Sequence, residues 1–249
     1  MKYRIVAIGN TDSAKSTCLA TAYRVMREGI QDKKVLRKNY IYVGQNNDLE
    51  RLQRSTTMTS SNHEYEMQLC INKKNLFTIS WYDTVGDSID PNNRWHEDTV
   101  EHMRSADYVF AFFSCDELVK SDLQSLRRTV KKVEMTLNTV AEAGRMFKLV
   151  ICLSKSDTVT REQINEIRSI FANVRGSVMG IWTMLYFVST SQGHNYNSPM
   201  APLLMVVDNC LQKYEYYLPK LDIGGKMRVS ATNHAINRWK GLYTEGVWQ

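Results

Sequence analysis

Lys2-Tyr3-Arg4-Ile5-Val6-Ala7-Ile8-Gly9-Asn10-Thr11-Asp12-Ser13-Ala14-Lys15-Ser16-Thr17 is the stretch that decides the fold. The apolar run 5–8 predicts a buried strand. It enters a loop that closes on Lys15-Ser16 and continues into a helical pattern over 15–28. Strand, loop and helix in that order are the context of a phosphate-binding loop of the form G-x-x-x-x-G-K-[ST]. Such a loop wraps backbone N–H groups around an anion at a helix N-terminus, where four donors lack partners and the helix dipole is positive. Gly9, Thr11, Asp12, Ser13, Ala14, Lys15, Ser16 and Thr17 are the candidate phosphate-contacting residues. Lys15 is expected to reach outer phosphates and Ser16 to ligate Mg²⁺. The pattern departs at Ala14, where glycine is expected. Alanine tolerates a narrower range of backbone angles and carries a methyl group that crowds the approach.

The chain has 249 residues, a formal net charge of +6 and 43% hydrophobic residues, enough for one sizeable core with additions. The mild basic excess suits an anionic ligand and does not by itself imply nucleic acid. The cysteines, Cys18, Cys70, Cys115, Cys152 and Cys210, are odd in number and lack C-x-x-C spacing. Buried reduced thiols in a cytoplasmic protein are expected. No signal peptide and no run long enough to span a bilayer is expected from the pattern.

Apolar runs and helical patterns alternate, which predicts a mostly parallel sheet between helices. Residues 64–71 alternate apolar and polar and read as an antiparallel edge strand, with 76–81 its hairpin partner through a turn at 72–75. Residues 108–113 are fully apolar and suit a central parallel strand. A single long amphipathic helix is expected over 117–142, then a strand at 147–153, a helix at 161–173, a strand at 182–188 and a last helix at 202–217. Residues 30–63 are polar without one clear period. The tail from 218 is punctuated by Pro219 and Gly224-Gly225 and carries Trp239, Tyr243 and Trp248.

Two further motifs sit at strand ends. Asp83-Thr84-Val85-Gly86 is a D-x-x-G element: the aspartate suits a Mg²⁺-bound water and the glycine lets a backbone N–H approach a terminal phosphate. Alone it is a weak signal, but its order after a phosphate loop strengthens it. Ser154-Lys155-Ser156-Asp157 follows the strand at 147–153. A carboxylate there accepts two hydrogen bonds, and guanine offers two adjacent donors where adenine offers none. Lys155 would lay its methylene stem along the base.

With these elements in order, residues 1–215 resemble a P-loop GTPase domain of the Ras-like, translation-factor-related class. Ser154-Lys155-Ser156-Asp157 is similar to the guanine-reading [NT]-K-x-D, and Val188-Ser189-Thr190-Ser191 to the small-residue base loop. The resemblance implies a three-layer α/β P-loop NTPase fold, GTP or GDP with Mg²⁺ as ligands, and a cytoplasmic switch hydrolysing GTP slowly. The alternative is a pseudo-GTPase scaffold with weak or no hydrolysis. It implies a nucleotide domain over 1–217, with an extended first switch near 30–63, and an interaction tail over 218–249. The switch threonine is sought among Thr56, Thr57 and Thr59, with Thr57 expected beside Ser16 and Asp83 as metal ligand. Ser189 and Thr190 are expected at the base. Thr57, Gly86 and Asp87 are the expected catalytic positions. The stretch 42–59 looks like bacterial double-GTPase domains, which implies a protein partner or a second GTPase-like chain. No DNA partner is expected.

Asp87 stands where many members carry a water-positioning glutamine and is a doubtful substitute. Asp12 stands where cation-dependent relatives carry asparagine, so its carboxylate either binds a cation or repels phosphate. Ser154 replaces Asn or Thr, so a side-chain tie to the phosphate loop is expected to be shorter or lost. Arg94, His96 and His102 follow the D-x-x-G element and read mainly as solvated residues. Arg127, Arg128, Lys131 and Lys132 read mainly as a solvated helix face, with peripheral membrane contact left open.

Overall fold

The computed structural model describes residues 1–28, 41–54, 60–71, 74–121, 123–142, 147–177, 183–188 and 200–217. β1 (Lys2–Gly9) lies between β4 (Lys74–Asp83) and β5 (Tyr108–Ser114) and runs parallel to both. Ile5 is opposite Trp81 on one side and Tyr108 on the other. With β2 (Ile41–Val43), β3 (His63–Ile71), β6 (Lys148–Ser154) and β7 (Thr183–Phe187), the described strands form one sheet ordered β2-β3-β4-β1-β5-β6-β7. Only β3 runs against its neighbours. The chain crosses from β4 to β5 over β1, which opens a crevice at the carboxyl end of β1.

The alternation of side chains along β1 divides the core in two. Tyr3, Ile5 and Ala7 face one side, where α1 (Lys15–Glu28) and α7 (Met200–Tyr217) pack. Cys18, Leu19, Ala22, Tyr23 and Met26 recur at helical spacing on α1 and are buried there. Val6 and Ile8 face the other side, covered by α3 (His96–Arg104), α5 (Leu123–Glu142) and α6 (Arg161–Ser177). Val130, Val133, Leu137 and Val140 form the buried stripe of α5. β5 is buried at every residue, as its continuous apolar sequence requires of a strand covered on both faces. The three-layer α/β architecture is the one expected from sequence. All five cysteines are buried and free. Among the described residues no helix is long and apolar enough to cross a membrane.

Three details differ from the sequence reading. The helix expected over 117–142 is two helices, α4 (Cys115–Lys120) and α5. Ser121 breaks it: its ψ of 142° is extended, and its amide and hydroxyl both donate to Glu117 O, at 2.9 and 2.7 Å. Hydrogen bonding by a serine to nearby backbone competes with continuing the helix. Secondly, β3 is the outermost strand only in its first part, because β2 pairs with Leu69–Ile71. Its alternation is as read, with Met67 and Leu69 buried and Glu64, Glu66 and Gln68 exposed. Thirdly, the segment 30–63 contains β2 and a short helix, α2 (Asn47–Arg54). Asn46 caps α2 by accepting from the amides of Asp48 and Leu49, at 2.9 and 3.0 Å. Leu49 and Leu52 then pin it to the core.

Candidate functional site

The carboxyl ends of β1, β4, β5 and β6 converge on one rim of the sheet. Gly9 leaves β1 with φ of +151°. A Cβ there would strike Phe112 O of β5 and stand 2.9 Å from Ser13 Oγ, so only glycine lets the loop turn this close to its neighbour. Asp12 and Ala14 follow at φ of 62° and 65°. The left-handed angle at Ala14 explains why the motif prefers glycine: the backbone keeps the motif's shape and the methyl group bears the strain.

Lys15, the first residue of α1, is 6% exposed. Its ammonium donates to Gly9 O and Asn10 O, both at 3.1 Å, and lies 3.5 Å from Ser13 Oγ. Burial pushes its pKa below that of an ordinary lysine, against the pull of Asp83, Asp87 and Glu117. The loop thus curls around a buried cation at the positive end of a helix, an arrangement suited to an anion.

The β4 end is tied to this loop. Thr84 sends both its amide and its hydroxyl to Ala7 O, at 3.3 and 2.8 Å. The Asp87 amide donates to Gly9 O at 3.4 Å. Ser16 donates its hydroxyl to Asp83, whose side chain is fully buried. A hydroxyl and a carboxylate are hard oxygen donors of the kind Mg²⁺ takes. Two protein oxygens beside an anion site match a metal that usually completes its shell with water and phosphate. No group of three or more His, Cys, Asp or Glu able to hold a metal occurs among the described residues.

At the β6 end, Ser154 decides between the two outcomes expected of it, and the shorter tie is kept. Its buried hydroxyl lies 2.9 Å from Ser13 O and 3.2 Å from Phe113 O, with one proton to give. The tie from this strand to the phosphate loop is therefore present, because β6 approaches closely enough for a serine to span the gap. Lys155 is left-handed at φ of 53°, and Asp157 lies in a single 3-10 turn, Ser156–Thr158. That turn is fixed by Thr158 Oγ1 donating to Lys155 O at 2.7 Å and by Ser156 N donating to Val188 O at 3.3 Å.

The Lys155 ammonium crosses to the phosphate loop, 2.9 Å from Asp12 and 3.7 Å from Asp116. Partial burial weakens its hold on the proton, but the Asp12 hydrogen bond and the charges of Asp116, Asp12 and Glu117 outweigh this and its pKa rises. Asp116 is held low by the Ser114 hydroxyl, then by Lys155 and Lys120. Glu117 moves the other way: burial raises it, Lys155 opposes, and Asp116, Asp12 and Asp87 add to the rise. Sequence reasoning missed Asp116 and Glu117. Their position just past the end of a buried parallel strand was the available signal. It also missed Asn62, whose side chain accepts from the Val85 amide at 2.8 Å and donates to Asp98.

The structure thus brings together Gly9 to Ser16, Asp83 to Asp87, and Ser154 to Asp157. Thr17 is exposed at the start of α1. Thr57, with Thr56 and Thr59, lies outside the described residues, as do Ser189, Thr190 and the tail from 218. Arg94 lies over the Trp95 ring at 5.2 Å, and His102 stacks on Tyr82 at 3.6 Å. Arg128, Lys131 and Lys132 are exposed, and Lys132 pairs with Asp90 at 2.7 Å.

No family model matches the sequence, and no curated protein matches it. Solved structures do. A bacterial selenocysteine-specific elongation factor, EF-Sec, aligns with 86% of this chain and 29% of its own, at 15% identity and a TM-score of 0.50. The GTPase-like domain of S. cerevisiae Ski7, bound to GTP, aligns with 85% of this chain and 50% of its own, at 12% identity and a TM-score of 0.48. The Arl6 small GTPase of Trypanosoma brucei, with a bound nucleotide analogue, aligns with 85% of this chain and 99% of its own, at 9% identity and a TM-score of 0.49. At such identities the likeness is one of fold. The match spans about a third of the elongation factor's length and half of the Ski7 chain.

Proposed function

We propose that this chain, which has the fold of P-loop GTPase domains, binds GTP and GDP with Mg²⁺ in the cytoplasm and acts as a slow GTPase-like switch. The observation that carries the reading is the convergence of Lys15, the Ser16–Asp83 pair and the Lys155–Asp157 turn on one rim of the sheet. Lys15 exchanges its loop carbonyls for phosphate oxygens, a charge-assisted contact in a low-dielectric setting. Ser16 and Asp83 hold the metal, which neutralises phosphate charge when bound. Asp157 reads guanine N1–H and the 2-amino group, and the Lys155 stem lies along the base. Thr57 closes on the metal, and Ser189 and Thr190 complete the base site. The Gly86 amide faces the terminal phosphate, so that nucleotide state orders its loop. Residues 218–249 serve as an element for a protein partner or a second GTPase-like chain.

The test is calorimetry with GDP, GTP and ATP plus Mg²⁺, followed by a phosphate-release assay. Guanine nucleotides bind and ATP does not. Lys15→Ala weakens binding by about 2–3 kcal/mol, and Asp157→Asn shifts preference toward xanthine nucleotides. Unchanged GDP and GTP binding in folded Lys15→Ala protein sinks the proposal. Removing residues 219–249 leaves nucleotide affinity nearly intact.

A second reading, a nucleotide-binding scaffold without hydrolysis, is favoured by one observation. Asp87, at the position of a water-orienting glutamine, is exposed and left-handed at φ of 61°. Its short acidic side chain offers an attacking water no amide. Phosphate release at or below the buffer rate, with tight GTP binding, selects this reading over the switch.

A further inference from the structure

We propose that Asp12 is a built-in brake on nucleotide affinity and that Lys155 offsets it; the inference rests on the guanine-nucleotide reading above. Asp12 places a carboxylate inside the loop between β1 and α1, whose amides surround any bound phosphate. Its side chain is 78% exposed, and its partner is the Lys155 ammonium at 2.9 Å. A phosphate in this loop lies within about 10 Å of that carboxylate, the Debye length at 0.1 M salt, so repulsion between them is incompletely screened. Asp116, 3.7 Å from Lys155, and Glu117 add negative charge on the same side. Asp116 has a second cation in Lys120 at 3.5 Å, whereas among the described residues Asp12 pairs with Lys155 alone. Lys155, only 27% exposed and anchored by the turn that follows it, is thus the local counterweight to an acid in the phosphate loop.

Two roles for the pair make opposite predictions at Asp12. As a mechanical strap between the two loops, loss of either partner loosens binding. As a charge balance, loss of Asp12 tightens binding and loss of Lys155 weakens it. The geometry favours the second role. The two loops are already joined by the buried Ser154–Ser13 bond, and the Ser156 amide on Val188 O with the Val188 amide on Leu153 O holds the second loop against the end of β7, so the Lys155–Asp12 pair adds little to their positions.

The experiment measures GDP affinity by calorimetry at low and high salt for the full chain, Asp12→Asn, Lys155→Met and the double variant. Asparagine tolerates the left-handed angle at this position, and methionine keeps an unbranched apolar stem for the base. Asp12→Asn tightens GDP binding and Lys155→Met weakens it, each by about tenfold at low salt. The double variant returns close to the unmodified chain, and high salt shrinks every difference. Weaker or unchanged binding by Asp12→Asn overturns the inference while leaving the nucleotide reading in place. Failure of the unmodified chain to bind GDP overturns both.

Discussion

Thr11 and Gly86 pack backbone against backbone: a Cβ added to Gly86 would overlap the hydroxyl, the amide nitrogen and the Cα of Thr11. The loop after β1 and the loop after β4 therefore share one small space, and a movement of either reaches the other. The Asp87 amide bonded to Gly9 O at 3.4 Å, one residue beyond this contact, is part of the same coupling.

Gly86→Ala is expected to destabilise the fold by about 1–3 kcal/mol, the usual cost of overpacking, and to weaken GTP binding more than GDP binding. Urea unfolding and nucleotide titration measure the two effects. Thr11→Gly in the same chain does not restore stability, because the Thr11 backbone remains in the way. Full rescue by Thr11→Gly would place the conflict in the side chain alone.

Ala14→Gly is expected to stabilise the protein. Alanine at φ of 65° carries about 1–2 kcal/mol of left-handed strain, while glycine adds about 0.4–1 kcal/mol of unfolded-state entropy. The balance is a gain of roughly 0.5–1 kcal/mol, read as a higher denaturation midpoint at unchanged m-value. Tighter GDP binding accompanies it if the methyl group also crowds the phosphate. A lower midpoint would mean that the angle at residue 14 is not strained.

Acid weakens the tie that Glu64 of β3 makes across β4 to Lys2 of β1. The Lys2 hydrogen bond, then that of Ser80, hold the Glu64 carboxyl below its ordinary value of 4.5 against a smaller effect of burial. A carboxylate depressed in the folded state stabilises the fold above its unfolded value, and this contribution fades as pH falls through the folded value. Lys2 is raised by Glu64 and Glu66, so its contribution is complete below 10.5 and fades as pH rises through its higher folded value. Glu64→Gln flattens the acid limb of a stability–pH curve measured by urea titration, and salt reduces the difference because the pair is half exposed.

Much of this architecture is legible in the sequence because strong local signals coincide with burial. Residues 108–113 are continuously apolar and form a strand buried on both faces. The alternation 64–71 marks β3, and glycine with Lys15-Ser16 marks the turn into α1. What escaped reading depended on contacts between distant segments. The split at Ser121 rests on two bonds to one carbonyl inside a pattern that otherwise scans as one helix. β2 is three residues long and depends on pairing with β3 and on burial of Val43 in the core. α2 is two turns long, too short to form from propensity, and needs the Asn46 cap and the Leu49 pocket. In the candidate site, Lys15, Asp83 and Asp157 were legible from order and spacing. The acids Asp116 and Glu117 had no motif to announce them, and the reach of Ser154 to Ser13 depends on how closely β6 packs behind the phosphate loop.

Ser154→Ala tests that last relationship. Its hydroxyl is buried at 3% exposure and serves Ser13 O or Phe113 O. Alanine removes the donor without opening a large cavity, and leaves buried carbonyl oxygen with one partner fewer. The expected cost is about 1–3 kcal/mol, seen as a lower urea midpoint. Because Ser13 belongs to the phosphate loop, the same change loosens that loop and speeds GDP release, measured by displacement of a fluorescent GDP. Ser154→Thr keeps the donor and retains slow release, provided its extra methyl is accommodated. If Ser154→Ala lowers stability with no change in release, the tie supports the sheet alone and does not position the loop.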